Sequence, residues 1–322
     1  MMSTLITTVF TFATATMGFL GTHTWSAAKV LAVLLALINI KTLPLMWHFR
    51  FYRSLYAHFL LRRKDLPKPT HLFSPVTTLS RSSTYECDLN GHKSNSTYFS
   101  DLDIARTHLV CHLTKHSFAL RKQRGDPLMY VALAGVTALF RREIKPFARY
   151  MISTRVLAWD QKWFYVVSHF VSVDKGRDGK RALYASALSK YVFKSKRITV
   201  PPEIVLRESG LLPPRPEGAT PLESGSSSGV DTPAVGLPET RMGEEKLEAA
   251  VERIAHVDRV KEDAERELVE QDAYWTWDRI ESERKRGLDL AQHMVGLDGL
   301  ADEFREGDEE GLETVGPFFA GW

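Results

Sequence analysis

One amphipathic segment followed by four long β-type runs, with only short breaks between them, leaves this chain few ways to fold. Between a turn ending at Ser94 or Asn95 and about residue 117, Tyr98, Leu102, Ala105, Leu109 and Leu113 step by four, three, four and four, which places them on one face of a helix. After the Gly125-Asp126-Pro127 break come residues 129–142, 147–159, 162–173 and 182–194, rich in Val, Tyr, Phe, Leu and Thr. Asp160-Gln161 predicts a tight hairpin and residues 175–179, which include glycines, a looser one. A strand-like run over 75–88 comes before the helix. Strand, helix and four antiparallel strands make an α+β layout in which one helix covers a face of the sheet.

The flanks differ in kind from this body, expected over 74–210. Residues 1–47 hold two apolar stretches, 5–20 and 27–47, the second interrupted by Lys29, Lys41 and Pro44. Spanning hydrocarbon as a helix takes about 20 apolar residues, so one or both predict a membrane anchor. Ser26-Ala27-Ala28 resembles a cleavage site, but no basic residue precedes the apolar run, and this favours an uncleaved anchor. Residues 48–73 read as a basic, amphipathic juxtamembrane connector. Arg50, Arg53, Arg62, Arg63 and Lys64 lie just beyond the apolar part. Cations there attract anionic lipid and hold a flank on the cytoplasmic side. The expected location is therefore a cytosol-facing membrane, the endoplasmic reticulum or another endomembrane. Residues 201–210 open on Pro201-Pro202 as a short helical piece, and 211–240 form a Pro/Gly/Ser/Glu-rich linker expected to be disordered. Over 241–300 the pattern turns helical again. Leu247, Val251, Ile254, Val257, Ala264, Leu268 and Trp275 make one stripe, read either as a docking or coiled-coil helix for a protein partner or as a solvated single helix. Residues 301–322 close the chain as an acidic tail.

Charge divides along the same line. Residues 1–240 carry 31 Lys/Arg against 16 Asp/Glu, and residues 241–322 carry 11 against 23. The first part thus favours anionic surfaces and the second repels them. The basic residues are scattered without interleaved aromatics, which argues against nucleic acid as a partner. Cys87 and Cys111 are the only cysteines, too few for a disulfide framework and without metal-ligand spacing. Neither a metal nor a cofactor is expected.

Between the first strand and the helix lies Asp88-Leu89-Asn90-Gly91-His92-Lys93-Ser94-Asn95. A helix start carries unpaired N–H groups and the positive end of a dipole, suited to a developing oxyanion. A carboxylate three residues before Gly91 comes within reach of an acyl carbon bound there, and burial would raise its pKa toward that of a useful base. Spacing alone equally permits a turn-forming Asp88, a Gly91 needed only for positive φ, and an Asn95 that merely caps the helix. His92 either orients a substrate or packs locally. Asn95-Ser96-Thr97 also spells a glycosylation sequon, for which a cytosolic domain predicts no glycan.

The run from Cys87 to Phe99 resembles the hot-dog thioesterase signature D-x-x-G-H-x-N-N-x-x-Y-F, and Asp101-Leu102-Asp103-Ile104-Ala105-Arg106 resembles its acidic-then-Ala-Arg continuation. Lys145-Pro146-Phe147 and Val156-Leu157-Ala158-Trp159-Asp160 are similar to later strands of the same superfamily, the 4-hydroxybenzoyl-CoA thioesterase type. The likeness covers roughly residues 70–200 and is nearest to the membrane-anchored "thioesterase superfamily member six"-like group. It implies an antiparallel sheet wrapped around one central helix and hydrolysis of a fatty or aryl acyl-CoA thioester, with CoA present only as part of the substrate. It also implies homodimers, with sites completed across the dimer. Asp88 would attack the thioester or activate water. The backbone beside Gly91 would polarise the carbonyl, and Asn95 would fix the turn or hold water. His92, Lys93, Ser94 and Tyr98 would line the substrate, although Tyr98 also fits the core. Lys93 and Ser94 depart from the signature. At that place a lysine would bind a CoA phosphate or act on the Asp88 carboxyl, and the departures also suit an inactive acyl-binding scaffold working through its C-terminal helix. Arg141, Arg142, Lys145 and Arg149 are either further phosphate contacts or a solvated face. Arg106 is expected to pair with Asp101 or Asp103.

Overall fold

The computed structural model describes residues 26–62, 67–177, 179–214 and 276–297. Its elements run α1 (Ala27–Ile38), a 3-10 turn (Ile40–Thr42), α2 (Met46–Tyr56) continuing into a π turn (Ala57–Leu61), β1 (Val76–Arg81), a 3-10 turn (Thr84–Glu86), α3 (Thr97–Arg124), β2 (Met129–Phe140), β3 (Arg149–Trp159), β4 (Phe164–Lys175), β5 (Arg181–Ser195), β6 (Ile198–Val200), α4 (Pro202–Glu208) and α5 (Trp277–Val295). The sheet is antiparallel in the order β1-β3-β4-β5-β2, with β6 added to β5. Both hairpins form where the breaks predict. At the first, Asp160 Oδ1 accepts from the N–H groups of Lys162 at 2.7 Å and Trp163 at 2.6 Å, a side chain standing in for backbone in a tight turn.

Helix α3 lies on the sheet as its period demands. Leu102, Ala105, Leu109 and Leu113 have no solvent exposure and pack among Ile152, Val156, Phe164, Val166, Phe170 and Phe193. Each fully buried leucine contributes about 1.5–3 kcal/mol. The helix stops at Gly125, whose φ of 75° is left-handed and cheap only for glycine. Its far end is pinned by the buried Glu208 of α4, which accepts from Ser117 Oγ at 2.5 Å and Arg121 Nε at 2.7 Å. A single apolar face does not account for the whole helix: Val110, Thr114, Lys115 and Ser117 are buried as well.

Part of that additional burial comes from the N-terminal arm, where the second apolar stretch differs from a single spanning helix. Residues 27–47 do not form one helix. The chain breaks after Ile38, passes Pro44, and turns through Leu45 at φ 67° before α2 begins. Among the described residues no helix is long and apolar enough to cross a membrane, and the stretch 5–20 lies outside them. Helix α2 instead lies along α3. Ser54 Oγ is 2.9 Å from His108 Nε2, His58 Nε2 is 3.0 Å from His108 Nδ1, and Lys115 Nζ donates to the Arg62 carbonyl at 2.6 Å.

His58 is buried, and its Nδ1 has no partner among the described residues. Burial, reinforced by His108, His112, Lys115 and Arg62, lowers its pKa from 6.5 to about 4. The folded chain therefore binds fewer protons than the unfolded chain between these values, and stability contributed by this contact falls as pH drops from about 6.5 toward 4. In His58→Leu, denaturant unfolding is expected to show a shallower loss of stability across that interval than in the parent.

On the opposite face of the sheet lies α5. Within the region read as a partner-docking or solvated helix, residues 276–297 pack on the chain's own sheet, whereas the stripe over 247–275 lies outside the described residues. Ala291 and Leu288 join Leu157, Ala158, Tyr165 and Leu188 in one cluster, and Arg284 Nη1 donates to the Trp159 carbonyl at 2.9 Å. Gly287 sets the approach: a Cβ there would stand 2.0 Å from the Leu157 carbonyl oxygen. Gly287→Ala is expected to push α5 off the strand, costing about 2 kcal/mol despite alanine's better helix propensity. Urea unfolding, together with faster proteolysis within 277–295, reads this out.

Candidate active site

The turn ahead of α3 is a small hairpin. Asp88 N–H donates to the His92 carbonyl at 2.9 Å, Gly91 N–H to the Asp88 carbonyl at 3.1 Å, and Cys87 bridges Lys93. Gly91 sits at φ 70°, so the expected left-handed turn is present, and glycine relieves the strain a side chain would bring. No atom lies within 4 Å of where a Cβ would be, so crowding within the chain is not the reason for glycine.

The turn presents the Asp88 carboxylate at the surface, its side chain 31% exposed. Oδ1 accepts from Asn90 N–H at 2.9 Å, an Asx turn that holds the group in place. Oδ2 lies 3.5 Å from His92 Nδ1, and His92 Nε2 lies 3.9 Å from Glu143 Oε1. One edge of the turn thus lines up carboxylate, imidazole and carboxylate at ion-pair distances that are longer than hydrogen bonds. Glu143, from the β2–β3 connection, was not singled out in the sequence, because a loop glutamate has no local signal.

Helix α3 begins at Thr97 with Ser96 as its flanking residue, rather than at a cap supplied by Ser94 or Asn95, and no side chain caps it. Ser94 N–H donates to the Glu86 carbonyl, and Thr97 Oγ1 donates to the Ser94 carbonyl at 2.7 Å. Asn95 and Ser96 are exposed, and among the described residues neither backbone N–H reaches a protein acceptor. Both amides thus stand unpaired at the helix entry, the kind of donor that an oxyanion-type site uses. Gly91 N–H itself is occupied by the turn.

Lys93 turns away from solvent. Its side chain is fully buried, with Nζ 2.8 Å from Glu86 Oε1, 3.2 Å from Asp101 Oδ2, and 5.5 Å and 5.7 Å from the rings of Tyr98 and Tyr150. In this position its ammonium faces Glu86 and Asp101 and not the surface where a CoA phosphate would lie, one of the two roles the resemblance implies for it. Lys41 of the arm enters from the other side, 2.8 Å from both Glu86 Oε1 and Asp101 Oδ2. Arg50 Nη2 meets Asp101 Oδ1 at 3.0 Å, and Tyr150 Oη donates to Asp101 Oδ2 at 2.5 Å. Burial pushes the Asp101 carboxyl up, but the charges of Lys41, Lys93 and Arg50 outweigh it and hold the group well below the usual carboxylate range. Tyr98 is buried between Phe140 and Phe170 at ring distances of 5.1 and 4.9 Å, and burial raises its hydroxyl pKa to about 12. Arg106 pairs with Asp103 at 2.5 Å. The site therefore divides into an outer set, Asp88, His92, Glu143 and the amides of Asn95 and Ser96, and an inner network that fixes both ends of the turn. Only the unusual lysine in the signature gave any sequence sign of the inner network.

An antiparallel sheet around one long helix, with an acidic Asp-x-x-Gly-His turn at the helix entry, defines a thioesterase-type hot-dog domain. The chain belongs to the thioesterase-like superfamily, whose family profile matches residues 82–207. Among its relatives, thioesterase poxG of Penicillium oxalicum is 35% identical over 319 residues, covering 89% of each chain. The probable thioesterase atnL of Emericella nidulans is 40% identical over 61% of this chain and 75% of its own. Protein THEM6 of Xenopus laevis is 32% identical over 34% of this chain and 48% of its own.

Proposed function

We propose that the chain hydrolyses fatty or aryl acyl-CoA thioesters, with Asp88 as its reacting carboxylate. The observation that carries this reading is a held, solvent-reachable carboxylate on the turn that leads into α3, whose entry carries free amide donors, in a chain of this superfamily. In the base form of the mechanism, Asp88 takes a proton from water as its oxygen attacks the thioester carbonyl. The amides of Asn95 and Ser96 receive the oxyanion, which collapses and expels the CoA thiolate; Asp88 or His92 returns the proton to sulfur. In the nucleophile form, Asp88 attacks the thioester carbonyl and the C–S bond breaks, giving a mixed anhydride and the CoA thiolate; water then cleaves the anhydride, restoring the Asp88 carboxylate, and its proton goes to sulfur. A cavity among the described residues, lined by Trp159, Leu212, Trp277 and Ile280, lies under α5 and plays no part in this. Substrate enclosure instead calls for a second copy. Strand β2 is an open sheet edge with Tyr130, Leu133, Leu139 and Phe140 exposed, which suits pairing into a homodimer. Tethering to a cytosol-facing membrane fits the apolar first 47 residues and the basic residues after them. Thiol release from a panel of acyl-CoA esters by the purified full-length dimer tests the reading. Turnover on any member supports it and gives the substrate class, while a folded dimer inert across the panel favours the acyl-binding scaffold, the reading that Lys93 and Ser94 would then support.

A further inference from the structure

We infer that α2 and the π turn after it form an in-plane docking face for an anionic lipid bilayer, so that the body is held against the membrane in one orientation. The inference rests on the proposed membrane tethering and adds the surface, its lipid chemistry and its geometry. Leu45, Phe49, Tyr52, Tyr56 and Leu60 step by four, three, four and four, and every one is more than half exposed. They form a stripe opposite Ser54 and His58, the side that meets α3. His48 and Arg53 flank the stripe on either side and Arg62 closes it, all three exposed. An apolar stripe with aromatic residues and bordering cations is the pattern of a helix lying at the headgroup boundary.

Two further observations select a bilayer over a protein partner. Helix α1 has no buried residue, and Val30, Leu31, Val33, Leu34, Leu35, Leu37 and Ile38 are all exposed; its remaining positions are alanines and Lys29. A helix apolar around its whole circumference asks for a medium that surrounds it, whereas a protein covers one side. Residues 1–25, continuous with it, contain no Lys, Arg, Asp or Glu. With 12 residues, α1 spans about 18 Å, less than the roughly 30 Å hydrocarbon core. The arm is also no loose leash. Asn39 Oδ1 accepts from Tyr85 N–H at 2.9 Å and Thr84 Oγ1 at 2.8 Å, and Lys41 and Arg50 are locked into the inner network. A membrane that holds α2 therefore also orients the turn carrying Asp88.

The test uses full-length protein with an encoded environment-sensitive fluorophore at position 52 or, as control, at exposed position 290 on α5 across the sheet. Vesicles contain phosphatidylcholine with or without phosphatidylserine, plus a lipid carrying a nitroxide near the headgroup. The expected result is flotation with the vesicles, quenching at 52 several-fold greater than at 290, and loss of that excess in Arg53→Glu/Arg62→Glu while flotation persists. Flotation with equal quenching at 52 and 290 overturns the in-plane face and leaves the tether standing. Absence of flotation overturns both. A probe at 52 already shielded without vesicles, in a protein sedimenting as a dimer, assigns the face to a second copy and overturns the inference.

Discussion

Asp88→Asn is expected to lower thioester turnover by about 10²–10⁴-fold while leaving the fold intact, the drop appearing in kcat for saturating acyl-CoA. The two effects separate because of where the residue stands. Its side chain is partly exposed and joins no apolar cluster, and the asparagine side-chain oxygen can still accept from Asn90 N–H, so the turn is retained. What is lost is the charge and proton affinity of the carboxylate, needed in both forms of the mechanism. Thiol-release kinetics alongside a urea unfolding curve make the measurement. Turnover unchanged in a folded variant would remove Asp88 from the chemistry.

Lys93→Ala is expected to act in the reverse manner, with stability falling by about 3–5 kcal/mol and activity lost as a consequence. The lysine supplies one of three cations facing Glu86 and Asp101, and its removal leaves a void beside two carboxylates that have no access to water. Glu86 also accepts from Ser83 N–H at 2.9 Å and cannot turn elsewhere without opening the turn before Asp88. Asp101 retains Lys41 and Arg50, so residual folding in the variant will depend on the arm, and removing the arm should then unfold it. By contrast, the pair between Lys145 and Glu143 is exposed on both sides, and Lys145→Ala should leave the unfolding midpoint unchanged. Equal midpoints for Lys93→Ala and the parent would show that the buried network carries no net stability.

These expectations rest on features that differ in how visible they were in the chain. Helix α3 was legible because its apolar residues repeat at the helical period, and the strands because β-branched and aromatic runs were bounded by clear turn residues. The Asp88 turn was legible because glycine and aspartate act locally, through φ and through an Asx hydrogen bond. The inward turn of Lys93 was not legible, for the opposite reason. A lysine next to a phosphate-sized anion site and a lysine buried on two carboxylates have the same local sequence, and the partners that decide between them are 7 and 8 residues away, with Tyr150 and Lys41 over 50 residues distant. The break in the second apolar stretch was not legible because apolar composition says that a segment leaves water without saying what it leaves water for. Leu45 in the left-handed region and the Asn39 contacts with residues 84 and 85 break the apolar stretch, and neither follows from hydropathy.

The sequence by itself determined the α+β class, the central helix and its buried face, the positive-φ turn at Gly91 and the position of Asp88, since each depends on periodicity or on conformational preferences within a few residues. Only the tertiary structure decided that the amides of Asn95 and Ser96 are free, that Lys93 faces inward, that α2 covers α3, and that α5 closes the far side of the sheet through Gly287. Those outcomes depend on which distant groups satisfy a buried charge or fill a gap, and desolvation and packing set that choice only once the whole chain is in place.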